Sequence, residues 1–240
     1  RDAQESRGLG DVYKRQPMDD VGALEAIGAV NIQQQSILGL TGEGMLLGIV
    51  DCGLDIYNGA FLREGRKSRI LAAWDQTIEG TDAATYGYGL EYSAEEIQAA
   101  IDEERRIITD VTGHGTFCGE TAMSVAVDAD IIMVKLKQAK QNLRELYGIP
   151  QEPVACSEVD IMTAIAYLLR IQHMLKRPMC VLVAWGSNSG SHTGAGALEK
   201  YINNIGDLKG LAVAVPGGNE GRAGPVSYTH LRAHETPEHL

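Results

Sequence analysis

The sequence predicts an α/β domain built on a mostly parallel sheet, and three observations predict it. Four apolar runs, at 45–50, 130–136, 179–184 and 211–215, have the length and continuity of strands buried on both faces. The stretches between them carry helix-start signals or 3.6-residue spacing, so strands alternate with helices along the chain. Several runs end in aspartate or in glycine-rich segments, at the strand ends where open α/β sheets gather ligands and catalytic groups.

Bulk properties narrow the function classes. A chain of 240 residues, 44% hydrophobic and 22% charged, can hold one large core or two small ones. A net charge of -11 without a Lys/Arg cluster argues against a nucleic-acid surface, which draws most of its affinity from basic side chains. No apolar run approaches the roughly 20 residues of a membrane span. Cys52, Cys118, Cys156 and Cys180 are far apart and form no Cys-x-x-Cys pair, so they read as free thiols; a fully paired set would allow three connectivities. Residues 1–16 and 226–240 lack apolar periodicity and resemble translated adapter read-through, which leaves 17–225 as the domain, read as a gene fragment.

In chain order, residues 18–33 read as a short helix and 40–44 as a turn. The first strand, Met45-Leu46-Leu47-Gly48-Ile49-Val50, ends at Asp51-Cys52-Gly53. Gly42 and Gly44 do not make a dinucleotide fingerprint, because they precede the strand, whereas phosphate cradling needs them after it. Between Asp51 and His114 the sequence reads as a surface insertion without chemistry, holding a capping box, Ser93-Ala94-Glu95-Glu96, that starts a helix running toward Ile101. Gly113-His114-Gly115-Thr116-Phe117-Cys118-Gly119 reads as a tight turn into a helix whose first turn carries an imidazole. Its flanking glycines leave the ring open to a reacting group, which suits a general base.

A second strand follows at 130–136. Ser157 caps a helix running to about Leu175, with Ile161, Ala164, Ile165, Leu168 and Ile171 on one face. His173, in that helix, reads as a surface or packing histidine. The strand at 179–184 runs into Trp185-Gly186-Ser187-Asn188, a helix covers about 196–205, and the strand at 211–215 runs into Pro216-Gly217-Gly218-Asn219-Glu220-Gly221.

Strand-Asp51-x-Gly53, the Gly113-His114-Gly115-Thr116 helix start, strand-Trp185-Gly186-Ser187-Asn188 and strand-Gly218-Asn219-Glu220-Gly221 together resemble the subtilisin family of serine peptidases over about 17–225. The insertion and Gly190-Ser191-His192 are most similar to clostridial, germination-type members. The resemblance implies a three-layer domain, mostly parallel sheet flanked by helices. It further implies that Asp51 orients His114, that His114 passes the proton between a nucleophilic serine and the leaving amine, and that Asn219 donates to the oxyanion. Ala184, Trp185 and Gly186 would pair with an extended polypeptide substrate, and Gly218 would help wall the specificity pocket. No metal ligand set or required cofactor is implied; calcium is common in the family, but no site maps onto these residues. A secreted or spore-associated setting is implied in the same way.

Departures are Phe117 where histidine is common, Cys118 as in proteinase K-like members, Asn58 in place of histidine, and Ala184 in place of serine. One absence outweighs them. No serine here has the neighbours of the family's Gly-Thr-Ser-Met-Ala motif, and Ser187, Ser189 and Ser191 precede Asn219, against the order Asp, His, Ser, so they read as loop residues. The expectation is therefore a serine endopeptidase present as a C-terminally truncated, inactive fragment; the alternative is a non-catalytic subtilase acting as a binding or regulatory module.

Overall fold

The computed structural model describes residues 24–34, 39–79, 85–149, 154–186 and 193–216. Eight strands are present among them: β1 Leu46–Asp51, β2 Leu62–Arg63, β3 Lys67–Ser68, β4 Ile70–Asp75, β5 Leu90–Ser93, β6 Asp130–Lys135, β7 Met179–Val183 and β8 Leu211–Ala214. The α-helices are α1 Ala29–Gln34, α2 Ala94–Asp102, α3 His114–Val125, α4 Gln141–Leu146, α5 Glu158–Leu175 and α6 Ala197–Gly206. Six strands form one sheet in the order β5-β4-β6-β1-β7-β8, parallel except for β5, and β2 and β3 form a separate antiparallel pair.

The continuous apolar run of β1 places it at the centre. It pairs in parallel with β6 on one side and β7 on the other, and all six of its residues are buried. Alternation along the strand then divides its side chains. Leu46 and Val50 join α5 and α6 in one core cluster, and Leu47 and Ile49 join α2 and Met123 of α3 in the other. The result is three layers, helix-sheet-helix, as expected.

Two expected helices hold in detail. Ser93 and Glu96 exchange the two bonds of a capping box at α2, and Ser157 accepts from the Val159 N–H at the start of α5. The five α5 residues expected on one face are all buried, joined there by Asp160 and Tyr167, and His173 is exposed. The helix expected over 18–33 is described from residue 24, where a turn at 27–28 separates one helical turn from α1.

The stretch between Asp51 and His114 is not a surface insertion. Its residues 70–75 are β4, an interior strand between β5 and β6, with Ile70, Ala73 and Trp74 fully buried. Tyr86, Tyr88 and Tyr167 close around Trp74, with ring centroids 5.0–5.5 Å away. On the opposite margin, β8 is the edge strand, with Ala212, Ala214 and Val215 exposed.

Candidate active site

The alternation that sends Leu47 and Ile49 toward α3 sends Asp51 the same way, two residues further along. Its carboxylate is fully buried at the C-terminal end of β1, beneath the first turn of α3, which opens with His114. Close approach depends on two glycines. A Cβ on Gly115 would lie 2.2 Å from the Gly53 carbonyl oxygen and 3.0 Å from Asp51 Cβ, and one on Gly53 would lie 2.4 Å from the Thr109 carbonyl oxygen.

The two side chains meet. Both Asp51 carboxylate oxygens lie 2.9 Å from His114 Nδ1. A carboxylate can only accept, so Nδ1 carries the proton, and Nε2 is left as the nitrogen that gains or loses one. Asp51 Oδ1 also accepts from the Cys52 N–H at 2.7 Å. The hydrogen bond to Asp51 raises the proton affinity of the imidazole above its ordinary value of 6.5, Cys118 and Cys52 reinforce it, and burial opposes it. Two other carboxylates buried near the same end of the sheet have fixed cations: Lys135 Nζ lies 3.4 Å from Asp75, and Lys137 Nζ lies 2.7 Å from Asp160. Asp51 is matched instead to a group that titrates.

Two thiols flank this pair. Cys118, four residues along α3, puts its sulfur 3.7 Å from His114 Nε2 and 4.0 Å from Nδ1. The i, i+4 spacing from His114 was the signal that could have found it. Cys52 sits 2.9 Å from Thr112 Oγ1 and donates to Asp110 Oδ1 at 3.4 Å. Burial raises its pKa, against the hydrogen bonds to His114 and Thr112, and burial pushes Cys156 up as well. All four cysteines are free.

Asp51, His114 and Cys118 are, among the described residues, a group of three metal-type donors within 4.8 Å of one another. The 2.9 Å oxygen–nitrogen separation is that of a hydrogen bond. Neighbouring ligands on a tetrahedral zinc lie about 3.4 Å apart, wider than this separation.

Of the residues expected to bind substrate, Ala184, Trp185 and Gly186 follow directly on β7, the neighbour of β1; the first two are half-buried and the third is exposed. The Trp185 ring stands edge-on to His114 with centroids 6.4 Å apart. Gly218 and Asn219 lie outside the described residues, as do Ser187, Ser189 and Ser191.

No protein-family model matches the chain, and no curated protein matches it. Among solved structures, the chain is similar to that of the Clostridium perfringens CspB protease, with a TM-score of 0.67 and 25% identity over 84% of this chain. It has a protease fold. The chain spans 40% of the length of that structure's chain. A second structure, described as an S41 psychrophilic protease, matches with a TM-score of 0.47 and 20% identity, over 81% of this chain and 52% of that one. Within the protease fold seen here, the Asp51–His114 pair occupies the carboxyl edge of the central strand, and no described helix is long and apolar enough to cross a membrane.

Proposed function

We propose that this chain is the portion of a subtilisin-type serine endopeptidase that carries the carboxylate and imidazole of an Asp-His-Ser triad. The observation that supports this best is the buried Asp51 carboxylate, both of whose oxygens lie 2.9 Å from His114 Nδ1 at the end of the central strand. In this reading Asp51 fixes the ring and its tautomer and stabilises the imidazolium. His114 Nε2 takes the proton from a serine hydroxyl as that oxygen attacks the peptide carbonyl, then returns it to the departing amine. Asn219 donates to the oxyanion, the main chain of Ala184, Trp185 and Gly186 pairs with an extended polypeptide, and Gly218 shapes the pocket beside the scissile bond. The serine belongs to a segment outside this sequence, where no Gly-Thr-Ser occurs. No step requires a metal or cofactor.

Recovery of the coding sequence downstream of residue 225 tests the reading. A Gly-Thr-Ser segment, with casein hydrolysis and labelling by a fluorophosphonate in the longer protein, is expected. Alanine or glycine in place of that serine would favour a binding or regulatory module. The 240-residue chain itself is expected neither to cleave casein nor to take up the label, and specific labelling of it would overturn the assignment of the nucleophile.

A further inference from the structure

We infer that Asp110 is the positioning residue of this site, a single carboxylate that ties the loop after β1 to the first turn of α3 and so sets where His114 meets Asp51. The functional meaning of the inference rests on the peptidase reading. Its geometry does not.

The first turn of any helix leaves backbone N–H groups without intrahelical partners, and an N-cap side chain normally takes one of them. At α3 the N-cap is Gly113, which has no side chain to give. Asp110, three residues earlier, does the work from outside the helix. Its Oδ1 accepts from the Gly113 N–H at 2.8 Å, from the Thr112 N–H and hydroxyl at 3.1 Å each, and from the Cys52 thiol. Its Oδ2 accepts from the Thr116 N–H and hydroxyl, both at 2.8 Å.

Two relays pass through those hydroxyls, and together they make this more than a cap. Thr112 Oγ1 donates to Asp110 while accepting the N–H of His114 itself at 3.2 Å. Thr116 Oγ1 donates to Asp110 while accepting the N–H of Asp55 at 2.9 Å, in the loop that leaves Asp51. The backbone carrying the imidazole and the backbone following the carboxylate are thus referenced to one group. Burial opposes the charge on Asp110, but the hydrogen bonds from Thr116, Gly113 and Cys52 outweigh it and hold its pKa below the ordinary aspartate value. By comparison, Ser93 at α2 and Ser157 at α5 cap their helices from the N-cap position itself.

Among the described residues, the groups that face the imidazole include Asp51 from β1, Cys52 from the loop after it, Cys118 from α3 and the Trp185 ring after β7. None of these is altered in the test. Asp110→Asn keeps one acceptor oxygen but puts an amide where Thr116 must donate. In the 240-residue chain, proton NMR in water reads the His114 Nδ1 proton directly, and its titration reads the coupling to Asp51. Asp110→Asn is expected to shift that resonance upfield or broaden it by solvent exchange, and to lower the His114 titration midpoint by about one pH unit, with the circular dichroism spectrum retained. Asp130→Asn, at the far end of the sheet, serves as the structural control and is expected to lower the urea midpoint while leaving the resonance in place. Should Asp110→Asn fail to fold, Thr116→Val reads the second relay alone and is expected to move the resonance in the same direction. An unchanged resonance and midpoint in the variant that folds, or an equal shift in Asp130→Asn, would overturn the inference. Because the readout is the imidazole and not turnover, a longer protein without hydrolytic activity would defeat the peptidase reading and leave this one standing.

Discussion

The two ends of the central sheet solve the same problem with different partners. At the amino end, Asp130 opens β6 and is held between two guanidiniums, Arg63 and Arg177; Arg177 also donates to the carbonyls of Gly44 and Met45 just before β1. At the carboxyl end, Asp51 closes β1 and is paired with an imidazole. A guanidinium keeps its charge at any pH a protein meets, so the amino-end clasp can only hold strands together. An imidazole changes its charge near neutrality, so the carboxyl-end pair can hold and can also exchange a proton. The chain places a permanent cation where it needs a fastening and a titratable one where chemistry is proposed.

The largest effect should come from breaking the carboxyl end. In a longer protein that contains the serine segment, Asp51→Asn is expected to lower kcat/KM by about 10⁴-fold, a loss of the size established for triad carboxylates, because the amide cannot hold Nδ1 protonated. Steady-state hydrolysis of a chromogenic peptide measures it. A loss under tenfold would show that His114 does not depend on Asp51. The complementary change, Asp130→Ala, is expected to leave His114 untouched and to destabilise the chain by about 2 kcal/mol, read from urea unfolding. Breaking a buried ion pair costs more than that, but Arg63 is 40% exposed at the side chain and Arg177 26%, so water recovers part of the loss.

How legible each end was in the sequence follows from what shapes it. The carboxyl end was readable because its requirements are local: a continuous apolar run ending in Asp51, and glycines on either side of His114 at a helix start. The structure adds why the glycines are needed, since a side chain on Gly115 would run into the Gly53 carbonyl. What the sequence did not disclose was β4. Ile70-Leu71-Ala72-Ala73-Trp74 is short, includes two alanines with little strand preference, and follows the basic stretch Arg66-Lys67-Ser68-Arg69. It lies inside the sheet because β6 pairs with it in parallel from some 60 residues away, a non-local pairing that no window along the chain displays. Asp110 was passed over for a related reason. An aspartate before a glycine turn is ordinary, and only the folded contact with Cys52, Thr112 and Thr116 sets it apart.

The smallest effect is also the one that separates the two ends most cleanly, because it needs no substrate. The proton affinity of His114 is higher in the folded chain than its ordinary value of 6.5, so the folded state binds the imidazole proton more tightly than the unfolded state does. The stabilisation that results is fully present below about pH 6.5 and is lost as the pH rises toward and through the folded midpoint. The clasp on Asp130 contributes no such slope across neutrality, since its guanidiniums remain charged there. Urea midpoints measured at several pH values should therefore fall as the pH rises above about 6.5 in the parent chain, and fall less in Asp51→Asn, which removes the carboxylate that raises the imidazole. Asp130→Ala should start from a lower midpoint and keep the parent's slope. Parallel curves for the parent and Asp51→Asn would mean that the pair does not bind its proton more tightly on folding, and the division of labour between the two ends would fail at its titratable half.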